Sequence, residues 1–165
     1  MIVVSDTSPI LSLALIGQLE LLHDLYGTIV IPEAVRSEIA TDQSGAWEVG
    51  QAAWIITRPI APDAVLKLLL REVDRGEAEA ITLALQTNAQ VLLVDERKAR
   101  HLAAYLELDV VGLLDVLQAA KQRQLITSVK PLLDDLLARA RFRLSRKLYQ
   151  RTLFTAGESD HAHPT

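Results

Sequence analysis

Two apolar runs in this chain end in an acid. Val3-Val4-Ser5 leads to Asp6, and Leu92-Leu93-Val94 leads to Asp95. An aspartate directly after a buried strand sits at the carboxyl edge of a sheet, where open parallel sheets bind ligands. Asp6 also has a structural reading as a helix cap, because Thr7, Ser8 and Pro9 follow it. If the two strands are neighbours, both acids hang over the same edge. Glu38 is a third candidate. In the helix opened by Pro32, Val35 and Ile39 mark the buried stripe by their i, i+4 spacing. Glu38 lies beside that stripe, whereas Glu33 and Arg36 point to water. The run Gly76-Glu77-Ala78-Glu79-Ala80-Ile81 offers two more acids. Helical steps of three and four from Glu77 reach Ala80, Ile81, Ala84 and Leu85, all apolar. From Glu79 they reach Thr82, Leu83, Gln86 and Thr87, mostly polar. Glu77 therefore heads the inward stripe and Glu79 faces solvent or a rim, although either suits the first turn of a helix as a cap.

Carboxylates at 6, 38, 77 and 95, gathered at one sheet edge, repel one another unless their proton affinities rise or a cation neutralises them. The chain has no cysteine, and no histidine lies near these acids in sequence. All-oxygen ligands favour a hard ion, Mg²⁺ or Mn²⁺, over zinc. Such ions grip phosphates, and the chemistry this suggests is metal-assisted phosphodiester hydrolysis with one ion or two. Positive charge for a phosphate backbone is concentrated in two places. Arg97, Lys98 and Arg100 follow Asp95, and Arg139, Arg141, Arg143, Arg146, Lys147 and Arg151 form a stretch without an acid. The second stretch also reads as a solvated helix face or a surface for an acidic partner. Tyr26, Tyr105 and Tyr149 are too scattered for a base-stacking platform. Trp47 and Trp54 read as covers for the edge of the core, and His161 and His163 as inert tail residues.

The elements that must position these groups alternate between short strand-like runs and longer helical ones. Strands are expected at Ile2–Val4, Thr28–Ile31, Ile55–Thr57, Gln90–Val94 and Asp109–Val111. Helical periodicity covers 9–26 with a break near Gly17, then 32–40, 63–73, 77–87, 98–106, 113–123, 129–140 and 145–155. Arg75-Gly76 reads as an interruption, and 41–50 as a loop with one helical turn around Trp47. Fully apolar strands separated by helices mean a parallel sheet covered on both faces. The expected architecture is a three-layer α/β/α sandwich with a mostly parallel central sheet, one domain over 1–156 and a polar tail over 157–165.

Composition agrees with one packed domain. The 165 residues are 50% hydrophobic but only 4% aromatic, so the core must be aliphatic. Disulfides, thiolate metal sites and cysteine nucleophiles are excluded. Seventeen basic against twenty-one acidic residues give a net charge of −4, which excludes an evenly basic nucleic-acid coat but not a local strip. The first 15 residues do not read as a signal peptide, and no apolar run approaches the roughly 20 residues of a membrane span. No membrane partner and a cytoplasmic location are therefore expected.

Four segments in order resemble the PIN-domain superfamily: Val-Ser-Asp-Thr-Ser-Pro-Ile at the start, Ile-Pro-Glu-Ala-Val-Arg-Ser-Glu-Ile at 31–39, Gly-Glu-Ala-Glu-Ala-Ile at 76–81, and Leu-Leu-Val-Asp-Glu-Arg-Lys-Ala-Arg at 92–100. More narrowly, they are similar to the bacterial and archaeal branch related to VapC-type toxins. The resemblance implies a compact α/β/α fold and an Mg²⁺- or Mn²⁺-dependent ribonuclease, with Asp6, Glu38, Glu77 and Asp95 as the acidic quartet that holds metal. It implies supporting roles for Thr7 or Ser8 beside the first aspartate, with Glu79 and Glu96 adjacent to the quartet. It further implies an RNA substrate, an antitoxin partner and a homodimer. Two departures stand out: the family commonly has aspartate where Glu77 stands, and Gly-Thr where this chain has Gly112-Leu113. A phosphotransfer receiver or a haloacid-dehalogenase-type phosphatase fits poorly, since Thr7-Ser8 follows Asp6 where the phosphatase needs Asp-x-Asp. A PIN-like RNA- or protein-binding module with weak catalysis is the remaining alternative.

Overall fold

The computed structural model describes residues 1–159. Five short strands, β1 (Val3–Ser5), β2 (Ile29–Ile31), β3 (Ile55–Thr57), β4 (Val91–Leu93) and β5 (Val110–Val111), form one sheet of order β3-β2-β1-β4-β5. Every pairing is parallel, so the mostly parallel sheet expected from sequence is wholly so among the described residues. The chain runs outward from β1 to β2 and β3, then returns to the other side of β1 with β4. The order therefore reverses between β1 and β4, the place where a sheet of this kind opens a crevice at its carboxyl edge.

Alternation along the strands divides the core. Val3, Ile29 and Ile31 point to one face, where they pack with α1 (Thr7–Leu15), α2 (Glu20–Tyr26), α3 (Glu33–Thr41), α4 (Ala46–Gln51), α8 (Leu113–Gln122), α9 (Lys130–Arg139) and α10 (Arg146–Thr155). Val4, Val30, Leu92 and Val94 point to the other, against α5 (Ala64–Leu69), α6 (Arg75–Gln86) and α7 (Arg97–Tyr105). Ile10, Leu13, Ile81, Leu92, Leu113 and Leu117 are fully buried. Each such side chain contributes about 1.5–3 kcal/mol of transfer free energy, so aliphatic packing and not aromatic area holds the three layers together. No helix among the described residues is long and apolar enough to cross a membrane.

Several boundaries differ from the sequence expectation, each for a local reason. The first helix starts at Thr7, not residue 9, because Asp6 occupies the N-cap position. It ends where expected: Gly17 takes a φ of +70°, and the amides of Gly17 and Gln18 bond back to Ala14 and Leu13. That pattern closes a helix with a left-handed residue, which glycine adopts freely. Arg75-Gly76 is no interruption but the first turn of α6, started by an Asp74–Glu77 capping box. The helix before it stops at Leu69. Trp47 does not cover the core; it is 72% exposed on α4, while Trp54 stacks on His23 at 5.1 Å. Order at the C-terminus continues past the expected boundary at 156. The Glu158 carboxylate accepts the amides of Val129 and Lys130 at 2.7 and 3.0 Å and pairs with Lys121 at 2.8 Å. His161 and His163 lie outside the described residues.

Candidate functional site

A cleft of about 600 Å³ opens at the carboxyl edge of the sheet, beside β1. Asp6, Glu38 and Glu77 line it, each from a different element, and Asp74 joins them. Asp6 comes from the end of β1, held by its amide bond to the Leu93 carbonyl at 2.9 Å. Although it occupies the N-cap of α1, its side chain makes no capping hydrogen bond. Apart from the Thr7 amide, the carboxylate is left to face the cleft. It is 5% exposed, and burial, with Glu77, Asp74 and Glu38 nearby, pushes its carboxyl up to about 8 despite partial relief from the Thr7 amide.

Glu38 lies in the last turns of α3, beside the stripe of Val35 and Ile39 that buries this helix. Its carboxylate accepts the Thr7 hydroxyl and lies over Gly76 in the first turn of α6. A Cβ at position 76 would stand 2.5 and 2.7 Å from its two oxygens, so only glycine permits this approach. Glu77 is buried and shares the capping box. Its Oε2 accepts the Asp74 amide at 3.1 Å, and its own amide donates to Asp74 at 2.8 Å. Burial first, and then the neighbouring Asp74, raise its carboxyl to about 7. The cap and the cleft-lining roles coexist, since one carboxylate serves both.

Asp95 stands elsewhere. It follows β4, but its Oδ1 accepts the Leu113 amide at 2.8 Å, and it lines a neighbouring pocket with Arg97, Arg100 and His101. Burial raises its carboxyl, against the opposing pull of the Leu113 amide and Arg100. Its Oδ2 is buried with no partner. Adjacent strands thus bring the backbones of 6 and 95 together, while contacts made by α8 direct the Asp95 side chain to another pocket. Among the described residues, no three histidines or acids stand close enough to hold one ion as they are.

The supporting candidates also have definite places. Ser8 lines the cleft with Thr7. Glu79, expected in solvent or at a rim, is 6% exposed, accepts the Ala34 amide at 3.2 Å, pairs with Arg75 at 3.1 Å and lines a shallow pocket with Glu38, so it stands at a rim and not in open solvent. It joins α3 to α6. Glu96 caps α7 through the Ala99 amide at 2.9 Å. Of the basic candidates, Arg139 and Arg141 stand on the wall of the acidic cleft. Arg141 has a φ of +52°, which turns the chain sharply after α9. Lys98 pairs with Glu72 at 3.0 Å, and Arg143 and Lys147 are exposed. Arg146 and Arg151 line a separate groove of about 680 Å³ on α10, with Tyr149 and Phe154 and, among the described residues, no carboxylate.

Asp74, Asp42 and Ser44 line the cleft without having been singled out in the sequence. Asp74 had a readable signal, the Asp-x-x-Glu spacing to Glu77 that starts a helix. Asp42 is held below the usual carboxyl range by the hydroxyl and amide of Ser44, and Arg141 adds to this. No periodicity marks it, because it follows the end of α3.

A family model described as a PIN domain, DUF3368, matches residues 2–158. The chain belongs to the PIN-domain family. No curated protein matches it. Among solved structures, a PilT N-terminus domain protein from the archaeon Sulfolobus solfataricus P2 is similar. Its identity is 19% and the TM-score is 0.52, with 73% of this chain and 93% of that one covered. At that identity the likeness establishes the fold. PIN domains are typically nucleases and generally use divalent metal ions. The chemistry of the cleft fits such an ion: its candidate ligands are hard carboxylate oxygens, and two of its carboxyls, those of Asp6 and Glu77, are raised into the neutral range.

Proposed function

We propose that this PIN domain is a divalent-cation-dependent ribonuclease that hydrolyses RNA phosphodiester bonds in the cleft lined by Asp6, Glu38 and Glu77. The observation that carries the reading is Asp6. It is a buried acid at a helix N-cap that caps nothing and faces three other carboxylates. A group so placed weakens the fold when ionised, and a bound cation reverses that penalty. Asp6, Glu38 and Glu77, with Asp95 turned from the next pocket, would hold Mg²⁺ or Mn²⁺. When bound, the ion supplies Lewis acidity for water and for the charge developing on phosphate.

The chain's own residues do the rest. Thr7 fixes one oxygen of Glu38, and Asp74 orients Glu77 through the capping box. Ser8 offers a hydroxyl on the cleft wall, and Arg139 and Arg141 attract the phosphate backbone to the same opening. The test is cleavage of single-stranded RNA with Mn²⁺, Mg²⁺ or EDTA. Asp6→Asn is expected to lower the rate by about a hundredfold or more, the scale lost when electrostatic stabilisation is removed. Unchanged cleavage by a contaminant-free Asp6→Asn preparation overturns the assignment.

The reading extends to the toxin of a toxin–antitoxin pair, blocked by a small antitoxin, and to a homodimer. Support for both is the resemblance to VapC-type toxins, and coexpression with the product of an adjacent reading frame tests them. The position of Asp95 favours one second reading, a PIN-like binding module with weak catalysis. Mn²⁺ titration separates the two, since the weak module binds the ion poorly.

A further inference from the structure

Helix α7 carries basic residues, Arg97, Lys98 and Arg100, that do not line the acidic cleft. Yet it begins beside that cleft. Asp6 donates its amide to the Leu93 carbonyl at 2.9 Å, and α7 starts at Arg97, just beyond Asp95. Arg97, His101 and Tyr105 follow at i, i+4 and i+8, so their side chains form one line down the helix. The line is about 12 Å long. All three residues are exposed, Tyr105 to 84%, while Ala99 and Ala103 are buried on the opposite side. Two shallow pockets of about 360 and 490 Å³ flank the line, and Arg97 and His101 border both. Arg100 lines the first, where Gly112 leaves the space that its guanidinium fills. Its contact with Asp115 is long, at 3.8 Å, and exposed, so it holds the guanidinium weakly. The nearby acids are engaged: Glu96 caps the helix on the Ala99 amide, and Asp95 accepts the Leu113 amide. Glu107 and Asp109, exposed just past Tyr105, end the stretch that favours an anion.

We propose that this face of α7 is a second contact surface for single-stranded RNA, with phosphates at Arg97 and Arg100 and one base stacked on Tyr105. The proposal rests on the ribonuclease reading above and deepens it by extending the strand's path beyond the cleft. Charge and shape select the occupant. The face is cationic where the cleft is acidic, it adjoins the same sheet edge, and an exposed aromatic ring stands in line with its basic groups. That combination holds single strands without reading sequence, because every base has a face to stack. A duplex fits less well, since its bases are already stacked on one another. Helices α9 and α7 pack on opposite faces of the sheet. A strand touching Arg139 and Arg141 on one side and Arg97 and Arg100 on the other is therefore drawn across the carboxyl edge, over Asp6.

Anisotropy of a fluorescently labelled single-stranded RNA, titrated with the full chain carrying Asp6→Asn, tests this without measuring cleavage. Adding Tyr105→Ala is expected to weaken binding about fivefold or more, the scale of one stacked base, and Tyr105→Phe to keep it within about twofold. Arg97→Gln with Arg100→Gln is expected to lower the slope of log affinity against log salt by about 1.4, at about 0.7 for each phosphate contact. Arg97→Gln alone is expected to lower it by about 0.7, and its exposed position keeps the test open if the loss of Arg100 unfolds α7. Unchanged affinity in Tyr105→Ala, or an unchanged slope in Arg97→Gln, overturns the proposal. Equal losses in Tyr105→Ala and Tyr105→Phe also overturn it, because they would make the hydroxyl and not the ring the contact. Indifference of RNA to every one of these changes would leave the face to an acidic protein partner. Absence of RNA binding by the Asp6→Asn parent, together with absence of cleavage by the wild-type chain, overturns the proposed function as well. Failure at α7 alone leaves both intact.

Discussion

A buried acid whose carboxyl titrates near neutrality makes stability depend on pH in a definite direction. Asp6 moves from 3.8 in the unfolded chain to about 8 in the fold, and Glu77 from 4.5 to about 7. Between those values the folded protein retains protons that the unfolded chain releases. Stability therefore falls as pH rises from about 4 and levels off above about 8. In EDTA, the wild-type thermal midpoint is expected to drop across this window. Asp6→Asn removes the larger part of the dependence and raises the midpoint at pH 8.5 by about 5–10 °C, corresponding to a few kcal/mol. The midpoints of the two proteins should approach each other below pH 4, where Asp6 is protonated in both states. A pH-independent gap between them would show that Asp6 acts through packing and not through its charge. Sequence pointed to Asp6 through its place after an apolar run, but whether its carboxylate capped the helix was a matter of geometry. The absent capping bond decides it.

At the scale of elements, α3 and α6 meet where Glu38 lies over Gly76, and this contact shows what periodicity conveys and what it leaves out. The Val35–Ile39 spacing places Glu38 at the edge of a buried stripe, and the Ala80–Ile81 spacing does the same for Glu77; both acids line the cleft. The same method placed Glu79 in solvent or at a rim. It could not tell which, because the partner of Glu79, the Ala34 amide, lies 45 residues away and belongs to another helix. Asp95 follows the same logic: its direction depends on Leu113 and Gly112, which no local pattern connects to it. Gly76→Ala separates helix stability from site geometry. Alanine favours the helix by about 1 kcal/mol, yet its Cβ must push the Glu38 carboxylate aside and away from Thr7. The expected result is cleavage reduced about tenfold or more, with the unfolding free energy unchanged within about 1 kcal/mol. Loss of both together would mean that the close approach serves packing alone.

The molecule as a whole carries a net charge of −4, yet it must attract a polyanion if it cleaves RNA. The fold resolves this by distribution. Asp6 and Glu77 are buried, and their raised carboxyls reduce the negative charge the cleft presents near neutral pH, while Arg139 and Arg141 stand on the wall of the same cleft. The basic stretch that looked continuous in sequence is divided in space. Arg146 and Arg151 line the α10 groove instead, and among the described residues that groove contains no carboxylate to hold an ion. A strand bound for cleavage must therefore use the first pair more than the second. For single-stranded nucleic acid, each phosphate contact adds about 0.7 to the slope of log affinity against log salt. Arg139→Gln with Arg141→Gln is expected to lower the slope by about 1.4 in a fluorescence-anisotropy titration against Asp6→Asn protein, which binds without cutting. Arg146→Gln with Arg151→Gln removes the same formal charge from outside the cleft and is expected to change the slope by less than half as much. Equal losses from the two pairs would place the RNA along α10 as well, and the acidic cleft would no longer define the strand's path.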